Sequence, residues 1–179
     1  MTEPEIRTSS ITIPVADGTT MGGYLAAPAA PGPRPAIFVI QEIFGVNAHI
    51  RDVTERFARA GYIAVAPEIF HRFAPGYQGS YDDIQASIAM TAKLTPEGVR
   101  ADLAATHAWL AARNDVRAGR VAAIGYCMGG RLTWVANAAL PLGAAVSYYG
   151  GGIATNHLEL AGALQGPQLL VWAGNDPWI

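Results

Sequence analysis

Five runs constrain this chain more than any other feature: AIFVIQ (36–41), YIAVAPEIF (62–70), RVAAIGY (120–126), GAAVSYY (143–149) and PQLLVWAG (167–174). They are apolar through most of their length. A strand with one wet face alternates polar and apolar residues, whereas a continuous apolar run marks a strand covered on both faces. Helical patterns lie between the runs. One starts at about Asn47, with Ile50, Val53 and Phe57 on one side, Arg51, Asp52, Glu55 and Arg59 on the other, and Gly61 placed to end it. Another takes Thr95 as N-cap and Pro96 as its first helical residue, with Val99, Leu103 and Leu110 on its apolar face. MGGRLTWVANAAL (128–140) is a third, and 82–94 is weakly helical. Strands alternating with helices predict an α/β three-layer sandwich, a mostly parallel sheet with helices on both faces. SSITIPV and TMGGYLAAP around ADG predict an opening antiparallel hairpin. The proline-rich segment 27–35 and the polar segment 71–80 predict surface loops.

Length and charge narrow the function. A chain of 179 residues without repeats or composition breaks reads as one domain, residues 1–179. A net charge of −2 supplies neither a nucleic-acid footprint nor a polybasic membrane patch. The apolar runs are strand-length, far short of the roughly 20 residues that span a bilayer. The polar start MTEPEIRTSS is not a secretion signal, and one cysteine forms no internal disulfide, so a soluble cytoplasmic protein is expected. Four scattered histidines and one cysteine have no metal-ligand spacing, and no organic cofactor is implied.

That cysteine lies in IGYCMGG (124–130), where strand hands over to helix. Gly125-x-Cys127-x-Gly129 is the G-x-S-x-G nucleophile elbow with sulfur in place of oxygen. Glycines on either side let strand and helix approach at a sharp, strained corner, and the corner lifts the side chain toward the crevice above the strand ends. The helix beginning at Met128 offers free N–H groups and a positive dipole end, which favour thiolate. In the nucleophile-elbow arrangement one oxyanion donor is the N–H after the nucleophile and the other comes from a strand-end loop. Here these are Met128 and, in QEIFGVN (41–47), Ile43. Glu42 at the same corner is a solvated loop acid or a site carboxylate. Asp176, after the last strand, is a turn former or a site acid.

QEIFGVN, GYCMGG, SYYGGG and GNDPWI, in this order, resemble the dienelactone hydrolase family of the α/β-hydrolase superfamily. The resemblance implies the α/β-hydrolase fold and a Cys-His-Asp triad that cleaves small esters or lactones through an acyl-thioester. Cys127 would be the nucleophile, Asp176 the triad acid, and Glu42 a carboxylate touching the resting thiol. Ile43 and Met128 would line the oxyanion hole, and Phe44, Tyr149 and Trp178 the substrate pocket. In the family the histidine follows the acid by some thirty residues, so it is expected beyond residue 179, in a domain incomplete at its C-terminal end. His49 and His107 fall in helical patterns and read as surface or packing residues, while His71 and His157 follow strands. The best-known member holds a substrate carboxylate with two arginines, and the 82–94 segment offers none. The expected partner is a small-molecule ester or lactone, with a monomer or small homo-oligomer as the assembly. A hydrolase that binds ligand without turnover and a redox-reactive thiol protein are the competing readings.

Overall fold

A computed structural model describes residues 3–176 of the chain. Among the described residues, seven strands form one sheet in the order β1-β2-β4-β3-β5-β6-β7. β1 (Ile6–Pro14) and β2 (Thr20–Pro28) make the antiparallel hairpin that the turn residues predict. β2 then pairs antiparallel with β4 (Ile63–Pro67). From there β4, β3 (Arg34–Ile40), β5 (Val116–Tyr126), β6 (Ala144–Tyr148) and β7 (Gln168–Val171) run parallel. The continuous apolar runs are explained by two cores. Phe38, Ile40, Val65 and Val121 meet Leu103, Leu110, Leu132 and Ala136 on one face. Ile37, Val39, Ala64, Ala66 and Ile124 meet Ile50 and Val53 on the other.

The helices follow their caps. α1 (Ala48–Arg59) begins where the Asn47 side chain accepts the Ile50 N–H, 3.1 Å away. After the short α2 (Ile84–Thr91), α3 (Pro96–Ala111) starts at Thr95, whose hydroxyl accepts the Gly98 N–H. α4 (Met128–Ala139) packs beside α3, opposite α1, which completes the three layers. The chain winds from β3 through α1 to β4, then crosses back to β5 on the other side of β3. The ends of β3 and β5 are therefore adjacent where the winding reverses, the place where open α/β sheets form a crevice.

Some boundaries differ from the local pattern. β4 stops at Pro67 although the apolar run continues to Phe70. The Ile69 N–H is taken by the buried side-chain carbonyl of Gln41 and the Glu68 N–H by Gly22, so the chain turns inward. The proline-rich loop is shorter than 27–35, because β2 keeps its pairing through Pro28 and β3 starts at Arg34. β5 starts at Val116, early, because Arg34 pairs with Val116 ahead of an irregularity in the ladder.

One polar cluster lies inside. Asp102 of α3 is fully buried and accepts from His71 Nε2 at 3.0 Å and Arg72 Nη1 at 2.7 Å. Arg72 reaches on to Asp17 in the β1–β2 turn, and its hydrogen bond to Asp102, above all, holds the guanidinium protonated. Removing the central acid strands the buried His71 and takes one of two acid partners from Arg72. Asp102→Ala is expected to lose about 3–5 kcal/mol in urea unfolding, and Asp102→Asn less. A loss under about 1 kcal/mol for the alanine variant would show that the cluster adds little.

Candidate active site

Cys127 stands between β5 and α4 at φ 54°, ψ −118°, one of two non-glycine residues with positive φ among those described. This backbone region is costly for a residue with a Cβ, on the order of 1–3 kcal/mol. The surrounding geometry forces it. A Cβ at Gly125 would overlap the Gly129 carbonyl, and one at Gly129 would overlap the carbonyls of Ile40 and Gln41. The first turn of α4 thus lies against its own strand and against the end of β3. The Cys127 N–H is tied to the Tyr148 carbonyl at 3.1 Å, which anchors the corner to β6 as well.

The half-buried thiol is influenced by groups from two segments, the loop after β3 and the first turn of α4. Burial pushes its pKa above the ordinary thiol value. The Met128 N–H pulls it down, the Glu42 charge pushes it up, and Arg131 and the Ile43 N–H pull down more weakly. The positive end of α4 favours thiolate, as its position predicts, but burial outweighs it. The backbone amides of Met128, in α4, and of Ile43, in the loop after β3, both lower the thiol pKa.

Glu42 is half-buried beside them. Its Oε1 accepts from the Tyr149 hydroxyl at 3.3 Å and its Oε2 from the Tyr81 hydroxyl at 3.4 Å. Burial and then the Glu42 charge raise the Tyr149 phenol far above its usual range, so it stays a donor. Tyr149 is the second positive-φ residue, at 39°, and its N–H bonds the Val171 carbonyl at 2.8 Å. Phe44 is buried, with its ring 4.3 Å from that of Tyr81. Asp176 follows β7 at the same end of the sheet, half-buried, its N–H on the Ala173 carbonyl. Trp178 lies outside the described residues.

The histidines lie in other surroundings. His71 is buried against Asp102, and the exposed His49 presents its ring to Tyr126 at 6.1 Å. Burial lowers the pKa of His107, whose backbone partner is Pro141. The His157 carbonyl accepts from the Trp134 indole. Among the described residues, no histidine is one of the groups acting on the Cys127 thiol. No cluster of three or more metal-binding side chains occurs among the described residues, and no helix there is long and apolar enough to cross a membrane.

Three residues of this site were not singled out from the sequence. Gln41, an amide closing a buried strand, is a readable signal, and it holds Ile69 and the Glu42 carbonyl. Arg131 is a cation in the first turn of a helix, against the dipole. Tyr81 has no local signal, since it reaches the site across a loop.

The sequence profile described as "Dienelactone hydrolase family" matches residues 21–179. A protein of Synechocystis sp. named "Putative carboxymethylenebutenolidase" is 41% identical over 151 residues, covering 83% of this chain and 61% of its own length. The "Carboxymethylenebutenolidase" of Pseudomonas putida is 34% identical over 176 residues, covering 96% of this chain and 73% of that protein. A solved "Putative Dienelactone Hydrolase" from Klebsiella pneumoniae subsp. pneumoniae superposes with a TM-score of 0.83 at 35% identity, over 98% of this chain and 75% of that one. The chain thus spans about three fifths of the Synechocystis relative's length.

The strained corner gives a stability test of its own. Cys127→Gly is expected to be more stable than Cys127→Ala by about 1–2 kcal/mol in urea unfolding, because only glycine is at ease at this φ. Equal stability would mean that the corner stores no strain.

Proposed function

The chain belongs to the dienelactone hydrolase family, and on that premise we propose that it hydrolyses small esters or lactones with Cys127 as nucleophile. The observation that carries this reading is the glycine-flanked corner that holds Cys127 at positive φ, where the Met128 and Ile43 amides both favour the thiolate. The Cys127 thiolate attacks the acyl carbon, and the carbonyl π pair moves to oxygen, where the two N–H groups receive the charge. Collapse expels the alkoxide, which takes a proton, and leaves a thioester. Water then adds to the thioester with a histidine as base, and thiolate departs as the carboxylic acid forms. Asp176 orients that histidine in its tautomer. We assign the histidine to chain beyond Ile179, in keeping with the greater length of the relatives. The domain is then completed by that segment. Phe44 and Tyr149 line the acyl pocket.

Glu42 acts on the resting thiol. A carboxylate beside the sulfur favours the protonated, unreactive form until substrate displaces it. Tyr149 and Tyr81 hold the carboxylate by their hydroxyls, so its position is set before substrate arrives. A protein that binds ligand without turnover is the competing reading, favoured by the absence of a histidine among the described groups acting on the thiol.

Two measurements test the proposal. p-Nitrophenyl acetate is expected to release a burst of about one equivalent of p-nitrophenolate per chain ahead of slower deacylation, lost in Cys127→Ala. A burst that survives this substitution would remove Cys127 from the role. Glu42→Gln is expected to raise the rate of iodoacetamide alkylation at pH 7 about two- to fivefold, since Glu42 is a lesser cause than burial. In both proteins the rate climbs with pH past the ordinary thiol value, because the folded thiol pKa is raised. Unchanged reactivity in the glutamine variant would leave Glu42 without this function.

A further inference from the structure

At the opposite end of the sheet from Cys127, two clefts of about 570 and 580 Å³ adjoin, sharing Pro28, Ala30 and Arg34 in their walls. The larger is lined by three arginines, Arg7, Arg34 and Arg113, and by a single acid, Asp115. That acid is already occupied, because Arg113 holds both its oxygens, Nε on Oδ1 at 2.9 Å and Nη2 on Oδ2 at 2.7 Å. Arg7 gives one N–H to the Ala29 carbonyl at 2.8 Å and has the others to spare. Arg34 is the telling member. Its side chain makes no hydrogen bond or ion pair among the described residues, and its Nε is buried without a partner. A buried donor left unmatched is a cost that folded proteins avoid. Arg7 and Ser9 share one face of β1 and flank the cleft together, since alternate residues of a strand point the same way.

We propose that this cleft is a binding site for a small phosphate-bearing anion. Guanidinium groups fit phosphate oxygens in pairs, and here three of them line one cavity whose single carboxylate is held by Arg113. A phosphate dianion supplies the missing acceptors for Arg34 and Arg7 and offsets the excess positive charge. The volume is that of a small-molecule site. β3 carries Arg34 at its first residue and ends at Ile40 beside Gly129, so the cleft lies on the order of 20 Å from the thiol. The site is independent of the hydrolase reading.

Calorimetric titration with inorganic phosphate and with glycerol phosphate, against sodium chloride at matched ionic strength, tests the assignment. Saturable binding of a phosphate compound is expected, weakened about tenfold or more in both Arg34→Met and Arg7→Gln. Arg7 is exposed on an edge strand, so its variant folds whatever Arg34 does. Thermal unfolding supplies a second readout: phosphate raises the midpoint of the unsubstituted chain more than that of either variant. No saturable heat, equal response to chloride, or undiminished binding in both variants would overturn the proposal.

Discussion

The absence of two methyl-sized groups, at Gly125 and Gly129, is the constraint on which the site rests. Without them the first turn of α4 can lie against β5 and against the carbonyls that end β3. That approach leaves the single intervening residue no ordinary conformation, and Cys127 takes φ 54°. It also brings the loop after β3 within range of the sulfur, so that amides from two segments 85 residues apart in sequence (128 − 43) act on one atom. Hydrogen bonds from Cys127 to Tyr148 and from Tyr149 to Val171 carry the same anchoring outward to β6 and β7. A change at either glycine would be felt along the whole rim of the crevice.

The thiol sits in a balance of opposing influences. Burial and Glu42 favour the neutral form, while the helix end, Arg131 and the Ile43 amide favour the charged one, and the first pair wins. A buried thiol at rest is protected from stray oxidants, since thiolate is the reactive species. Under the proposed reading, substrate that displaces the carboxylate would shift this balance toward thiolate. The tyrosine hydroxyls on Glu42 are part of this arrangement, because they fix where the negative charge sits.

Much of this was legible in the residues. Double burial is written into runs such as AIFVI, and the helix caps Asn47 and Thr95 act as their types predict. The strand–helix corner is local, so Gly125, Cys127 and Gly129 could be read together. Where long-range partners decide, local pattern stops. The apolar run through Phe70 reads as strand, yet Gln41, 28 residues away, captures the Ile69 N–H and ends it. His71 follows a strand at the crevice end, but Asp102, 31 residues on, draws it into the interior. Tyr81 reaches Glu42 from a loop whose path no periodicity describes. Residues that act through tertiary contacts were the ones missed.

The two ends of the sheet now carry different chemistry: a strained thiol with converging amides at one, unpaired guanidinium groups at the other. The central claim concerns the first, that negative charge formed on a Cys127 adduct is received by the backbone of Ile43 and Met128. A crystal structure of the chain treated with a simple aldehyde measures this most directly. The account predicts a hemithioacetal on Cys127 whose oxygen lies within hydrogen-bond distance of both N–H groups. An adduct oxygen directed away from both amides, or no adduct at Cys127, would contradict it.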